Sequence, residues 1–208
     1  AIFEKLIETV EHSEQSIYLQ ITRGASERDH DLSLADNPTI FVMSRAIAKK
    51  DLSVGIKAIT HDDIRWQYCD IKAITLLPSV LLRHKAKLQG AKEAILIREG
   101  YITEGAASNV FICRNDEIFT LPKNKHVLPG ITRDLVVEIL ASHKISYFEA
   151  MFTEEELLSA DEIWITSSTW EIVPVTQLNN APVGTGEVGP LWKAVNQLYQ
   201  NFKSGYCQ

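Results

Sequence analysis

The sequence predicts an α+β fold in which mixed or antiparallel strands are flanked by helices. Three observations carry that prediction. Short strand-like segments between residues 93 and 120 are punctuated by turn pairs, Glu99-Gly100 and Asn115-Asp116. Apolar residues fall at helical spacing in stretches that precede or follow those strands. No internal repeat, low-complexity tract or long linker interrupts the 208 residues, a length sufficient for a sizeable core.

Ala1 to Val10 places Phe3, Leu6, Ile7 and Val10 on one face and reads as an amphipathic helix. Ser16 to Thr22 alternates apolar and polar residues, as a half-buried strand does. Arg23 to Pro38 is a polar loop, and Thr39 to Ser44 and Ser53 to Thr60 are strands on either side of a basic turn, Lys49-Lys50-Asp51. Thr75 to Gln89 carries Leu77, Val80, Leu81 and Leu88 at helical spacing, with Gly90 as its stop. Strands follow over Glu93 to Arg98, Tyr101 to Thr103, Ser108 to Cys113 and Glu117 to Thr120. Ile131 to Ser142 is a helix with Leu135, Val136, Ile139 and Leu140 inward. Ser146 to Ala150 is a strand, and Thr153 opens a short helix with a capping-box pattern, Thr153-Glu154-Glu155-Glu156. Strands at Asp161 to Thr166 and Trp170 to Val175 precede a last helix marked by Leu191, Val195, Leu198 and Phe202.

Composition narrows the function. The chain is 45% hydrophobic and 23% charged, with a formal net charge of -6 and no long basic block. That balance argues against a nucleic-acid partner and suits handling of small molecules. Cys69, Cys113 and Cys207 are odd in number and widely spaced, which favours a reducing cytosol over a disulfide framework or a thiolate metal site. No apolar run approaches the ~20 residues that span a bilayer, so no membrane partner is expected. The chain opens without methionine, and we expect a part of a longer protein.

The chemistry-bearing stretches begin at Lys72, which follows Cys69-Asp70-Ile71 and precedes a buried-looking apolar run, Ala73-Ile74-Thr75-Leu76-Leu77. A lysine in such company either forms an ion pair or gives up its proton to become a nucleophilic amine; the plainer reading is a strand-end lysine reaching solvent. Thr103-Glu104-Gly105-Ala106-Ala107-Ser108-Asn109 offers a carboxylate followed by small residues that let a flat ligand approach the backbone. Leu128-Pro129-Gly130-Ile131-Thr132 opens a helix and leaves N–H groups for an anion, and Thr166-Ser167-Ser168-Thr169 offers hydroxyls at a strand end. Each alone fits an ordinary turn. His61-Asp62-Asp63 reads as a polar loop, His84 as a boundary residue, and the tryptophans Trp66, Trp164, Trp170 and Trp192 as core packing.

Taken in order, Asp63-Ile64-Arg65-Trp66 with Cys69-Asp70-Ile71-Lys72, Thr103-Glu104-Gly105 with Ser108-Asn109-Val110-Phe111, and Gly130-Ile131-Thr132-Arg133 resemble the fold-type IV pyridoxal-phosphate enzymes, the class IV aminotransferase family. Within that class the chain is most similar to D-amino acid aminotransferases. The resemblance implies pyridoxal 5′-phosphate as cofactor, amino acid and 2-oxo acid substrates, and a homodimer. Lys72 would form the Schiff base and shuttle the substrate proton, and Glu104 would pair with the ring nitrogen. Leu128 would pack on the ring, while Ile131, Thr132, Ser167 and Ser168 would hold the phosphate. Arg28 and His30, in Arg23-Gly24-Ala25-Ser26-Glu27-Arg28-Asp29-His30, would grip the substrate carboxylate from the neighbouring subunit.

The resemblance further assigns residues 1–38 to the end of a small domain or linker with the substrate loop, and 39–208 to the large cofactor-binding domain. Most of the family's small N-terminal domain has no counterpart in this chain. Ala106 and Ala107 stand where D-amino acid aminotransferases often carry serines. Two further readings stay open: an aminodeoxychorismate lyase that releases pyruvate with the same lysine and cofactor, and a non-catalytic cofactor-binding module or pseudoenzyme.

Overall fold

A computed structural model describes residues 2–31, 37–47 and 51–206. Ala1, the basic pair Lys49-Lys50, Cys207 and residues 32–36 of the polar loop lie outside the described residues. The chain forms two compact units that divide between Lys50 and Asp51.

The first unit holds α1 (Ile2–Ile7), β1 (Gln15–Thr22) and β2 (Thr39–Ala46). The expected helix stops at Ile7 because the Gln15 side-chain amide donates to the carbonyls of Ile7, Val10 and His12 (3.2, 3.0 and 2.8 Å), gathering the segment into a turn. β1 and β2 pair antiparallel from Gln15↔Ala46 to Thr22↔Thr39. The backbone groups of residues 39–46 are satisfied by β1 within this unit.

The second unit holds β3 (Ile56–Asp62), α2 (Leu77–Leu88), β4 (Glu93–Arg98), β5 (Tyr101–Gly105), β6 (Asn109–Arg114) and β7 (Glu117–Thr120). It continues with α3 (Ile131–Ser142), β8 (Tyr147–Glu149), α4 (Glu154–Leu158), β9 (Glu162–Ser167), β10 (Glu171–Leu178), β11 (Ala181–Pro182) and α5 (Pro190–Tyr206). Among the described residues its strands form one nine-stranded mixed sheet in the order β5-β4-β3-β10-β9-β6-β7-β8, with β11 on β10. β3 is parallel to β4 and to β10, and β7 is parallel to β8.

Local chemistry sets the joints. Glu99-Gly100 and Asn115-Asp116 both take positive φ, as tight hairpin turns between antiparallel strands require. Asn179-Asn180 does the same and turns β10 into β11, a hairpin the sequence pattern left unmarked. α2 ends in a Schellman arrangement: Gly90 at φ 73 donates to Lys87 O and Ala91 donates to Ala86 O. The β3 strand starts at Ile56 rather than Ser53, since Gly55 N–H bonds back to Leu52 O (3.1 Å) in a turn.

Both faces of the sheet are covered, so adjacent strand residues serve different cores. Val110, Ile112, Ile163 and Ile165 share one cluster with Ile56, Ile95 and Ile102. Phe111, Cys113 and Trp164 point the other way, against Val136, Ile139 and Leu140 of α3 and Trp192, Val195 and Tyr199 of α5. A third cluster joins Ile59, Ala94 and Leu96 to Leu82 and Ala86 of α2. This corrects the reading of α2: the helix buries Leu82 and Ala86, while Leu77, Val80, Leu81 and Leu88 are exposed. Trp66 is likewise exposed, whereas Trp164 and Trp192 are buried as expected.

The single-cluster membership of Ile102 from β5 and Val110 from β6 has a topological cause. In the sheet order β4, β3, β10 and β9 separate these strands, yet they meet where Gly105 N–H donates to Ser108 O (2.7 Å). The sheet curls, and residues 105–108 close its seam.

Candidate active site

Glu104 is the last carboxylate of β5 before that seam, and Asn109 opens β6 beyond it. The seam brings them together: Asn109 Nδ2 donates to Glu104 Oε2 (3.2 Å) and to Leu128 O (2.8 Å). Leu128 N–H also donates to Glu104 Oε2 (2.9 Å), and Arg65 Nη1 donates to Oε1. Glu104 is only 4% exposed. Burial pushes its carboxyl up to about 7, while the Arg65 charge and hydrogen bond and the Leu128 N–H pull in the opposite direction. Glu104 is thus a buried carboxyl with three partners rather than the solvated residue of an ordinary turn.

Leu128 leads directly into α3. Gly130 is the N-cap residue of that helix and has no side chain to cap it, so the first N–H groups, those of Ile131 and Thr132 among them, have no intrahelical partner. Gly130 adopts φ -69, so the backbone does not demand glycine there. Space does: a Cβ on Gly130 would lie 2.0 Å from Asn109 Oδ1. Thr132 is buried and Ile131 exposed.

Asn109 also aligns with Thr166 of β9, which carries the chain into Ser167 and Ser168. The Thr166 hydroxyl is buried without a hydrogen-bond partner among the described residues, an open valence beside the helix-start seam. Ser167 is half-buried, Ser168 is exposed, and Ser167 Oγ accepts from Trp170 N–H (3.3 Å).

Lys72 reaches solvent, as the plainer reading has it, but not from a strand end. It is exposed, in the segment between β3 and α2 rather than on a strand. Ile71, Ile74, Leu76 and Leu77 around it are exposed as well. The buried-looking run does not exist as such because it has no strand partner: its backbone closes on itself, Ala73 N–H to Ile71 O and Leu76 N–H to Ile74 O (2.8 and 2.7 Å). The same segment is nevertheless anchored to Glu104 through Arg65, and Cys69 N–H donates to Lys125 O (2.7 Å), just ahead of Leu128. Arg28 and His30 are exposed in the loop after β1 in the first unit.

The pattern reading missed Asp63, whose side chain is fully buried rather than part of a solvated loop. Its signal was the Asp63-x-Arg65 spacing, an Asx turn in which Asp63 Oδ1 accepts from Arg65 N–H (3.0 Å). It also missed Arg65 and Asn109 as partners of Glu104, and nothing in local spacing announces contacts that depend on a curled sheet.

Comparison with known proteins bears on the family and the fold. The model of the amino-transferase class IV family matches residues 1–178. A D-alanine aminotransferase of Bacillus licheniformis is 40% identical over 200 residues, 95% of this chain and 71% of that protein. Another, from Staphylococcus epidermidis, is 38% identical over 89% of this chain and 67% of its own length. The branched-chain amino acid aminotransferase of Escherichia coli superposes with a TM-score of 0.81 at 25% identity, over 95% of this chain and 68% of that one. A family match over most of the sequence, with relatives up to 40% identical, settles the family: the chain belongs to the class IV aminotransferases.

Proposed function

We propose that this protein transaminates D-amino acids with a 2-oxo acid as acceptor, using Lys72 as its catalytic amine. The observation that carries the reading is the cluster at the seam: a buried Glu104 joined to Arg65, Asn109 and Leu128, two residues ahead of an uncapped helix. The preference for D-amino acids rests on the relatives that bear the name D-alanine aminotransferase.

Class IV aminotransferases use pyridoxal 5′-phosphate, and the residues present fit it: an anion is served by the open N–H groups of α3, and a protonated ring nitrogen by Glu104. When bound, the cofactor supplies a positively charged ring that accepts the electron pair left at the substrate Cα. The protein's part is then one of holding and proton transfer. Glu104 keeps the ring nitrogen protonated. The N–H groups of Ile131 and Thr132, with Ser167 and Ser168, hold the phosphate, and Leu128 packs on the ring. Lys72 Nζ would carry the proton from the substrate Cα to C4′ of the cofactor. Arg28 and His30 hold the substrate α-carboxylate; a planar guanidinium meets a carboxylate with two hydrogen bonds, and the loop reaches across a homodimer. Paired cysteine chemistry plays no part in this scheme, consistent with action in a reducing cytosol. Among the described residues no helix is long and apolar enough to cross a membrane.

The test is turnover of D-alanine and 2-oxoglutarate to pyruvate by the protein supplied with pyridoxal phosphate. Lys72→Ala should abolish turnover and the visible absorbance of the bound cofactor while leaving unfolding within about 0.5 kcal/mol of the parent, because the side chain is exposed. Pyruvate formed from aminodeoxychorismate without an amino acceptor would overturn the reading in favour of a lyase, and failure to bind cofactor would favour a non-catalytic module.

A further inference from the structure

Behind Glu104 lies a group of charged side chains that the scheme above does not use. Arg65 Nε and Nη2 both donate to Asp63, to Oδ1 and Oδ2 at 2.9 Å each, which leaves Nη1 turned toward Glu104. Asp63 further accepts from the Thr103 hydroxyl (2.9 Å) and lies 3.1 Å from Arg98 Nη2. Arg98 in turn donates to the carbonyls of Arg65 and Trp66 (3.0 and 3.2 Å), tying the segment to the end of β4. The side chains of Asp63, Arg65 and Glu104 are 0, 9 and 5% exposed. Two carboxylates and two guanidinium groups balance one another in a place that water hardly reaches.

Such an arrangement is costly to build and severe to break, because removal of one partner leaves a buried charge unpaired. An apolar filler would have served packing alone. We infer that Arg65 is a positioning residue that aims the Glu104 carboxyl and favours its charged form against burial, and that Asp63 sets how strongly it does so. The inference rests on the reading that Glu104 faces the ring nitrogen of the cofactor.

The geometry gives the two neighbours opposite signs. Arg65 stabilises the charged form of Glu104 through contact and charge, and Asp63 opposes it, both by its own charge and by engaging two of the Arg65 nitrogens. Burial pushes Asp63 up, but the Arg65 hydrogen bonds and charge together hold it below the ordinary carboxylate range. Asp63 therefore remains an anion competing for the same guanidinium.

The experiment titrates Glu104 in the cofactor-free chain by NMR of carboxyl-labelled glutamate, with Glu104→Gln identifying the resonance. Arg65→Met should raise the Glu104 midpoint by at least about one pH unit, the size expected for loss of an adjacent opposite charge. Asp63→Asn should lower it, and Arg65→Lys should displace it upward less than Arg65→Met. A midpoint unmoved in Arg65→Met, or moved upward in Asp63→Asn, overturns the inference. If Arg65→Met fails to fold by circular dichroism, the signs in Arg65→Lys and Asp63→Asn decide in the same way. The visible spectrum and cofactor affinity of Glu104→Gln separate the two readings. If both match the parent, Glu104 does not serve the ring and the cofactor reading falls, while the titration still judges Arg65.

Discussion

Gly130→Ala tests the seam with a single methyl group. The backbone at Gly130 accepts alanine, since φ is -69 and ψ is 132. On the unfolded-chain side alanine even gains about 0.4–1 kcal/mol. The cost comes from Asn109, whose Oδ1 would lie 2.0 Å from the new Cβ. Relief requires a displacement of about 1 Å, since carbon and oxygen do not approach closer than about 3 Å without severe repulsion. A displacement of that size breaks the Asn109 bonds to Leu128 O and Glu104 Oε2. The first is worth about 1 kcal/mol and the second, to a carboxylate, about 1.5–3 kcal/mol. The net expectation is a loss of about 2–3 kcal/mol. At a urea slope of about 2 kcal/mol/M this lowers the midpoint by about 1 M. The decisive control is the same substitution on an Asn109→Ala background, where the clash partner is gone and Gly130→Ala should cost less than about 0.5 kcal/mol. Equal costs in both backgrounds, or a cost under about 0.5 kcal/mol in the parent, would refute the steric account.

The remaining predictions concern charge and capping. Glu104, raised from 4.5 to about 7, holds a proton in the folded chain that the unfolded chain has already lost, so the cofactor-free protein should lose stability as pH rises between those values. Glu104→Gln should remove that slope, a difference of about 1–3 kcal/mol across the window, and parallel slopes in urea unfolding at pH 5 and 7.5 would contradict it. Thr153→Ala should cost about 1 kcal/mol, or about 2–4 °C in Tm, because Thr153 Oγ1 accepts from Glu156 N–H (3.2 Å) and Glu156 Oε2 from Thr153 N–H (2.8 Å). An unchanged Tm would mean that packing of Leu157, not the cap, holds α4.

What the sequence determined by itself is what neighbouring residues decide among themselves. The α3 span of Ile131–Ser142 follows from a glycine start and apolar residues at helical spacing. The hairpins at 99–100 and 115–116 follow from residues that tolerate positive φ. The stretches at Lys72, Glu104, Gly130 and Ser167-Ser168 are short local patterns, each of which alone fits an ordinary turn. Tertiary structure decided which apolar residues face inward and which polar residues meet. α2 keeps its helical spacing yet buries Leu82 and Ala86, because β3 and β4 meet that side of the helix. Asp63 looks like part of a polar loop until Arg65, Arg98 and Thr103 surround it. Glu104 and Asn109 are five residues apart, but whether they touch depends on a sheet that carries β4, β3, β10 and β9 between their strands and then curls closed. The bonds from Arg65 and from Leu128 N–H to Glu104 join residues far apart in the chain, and their geometry is fixed only once the backbone has paid the entropy of closing the loop.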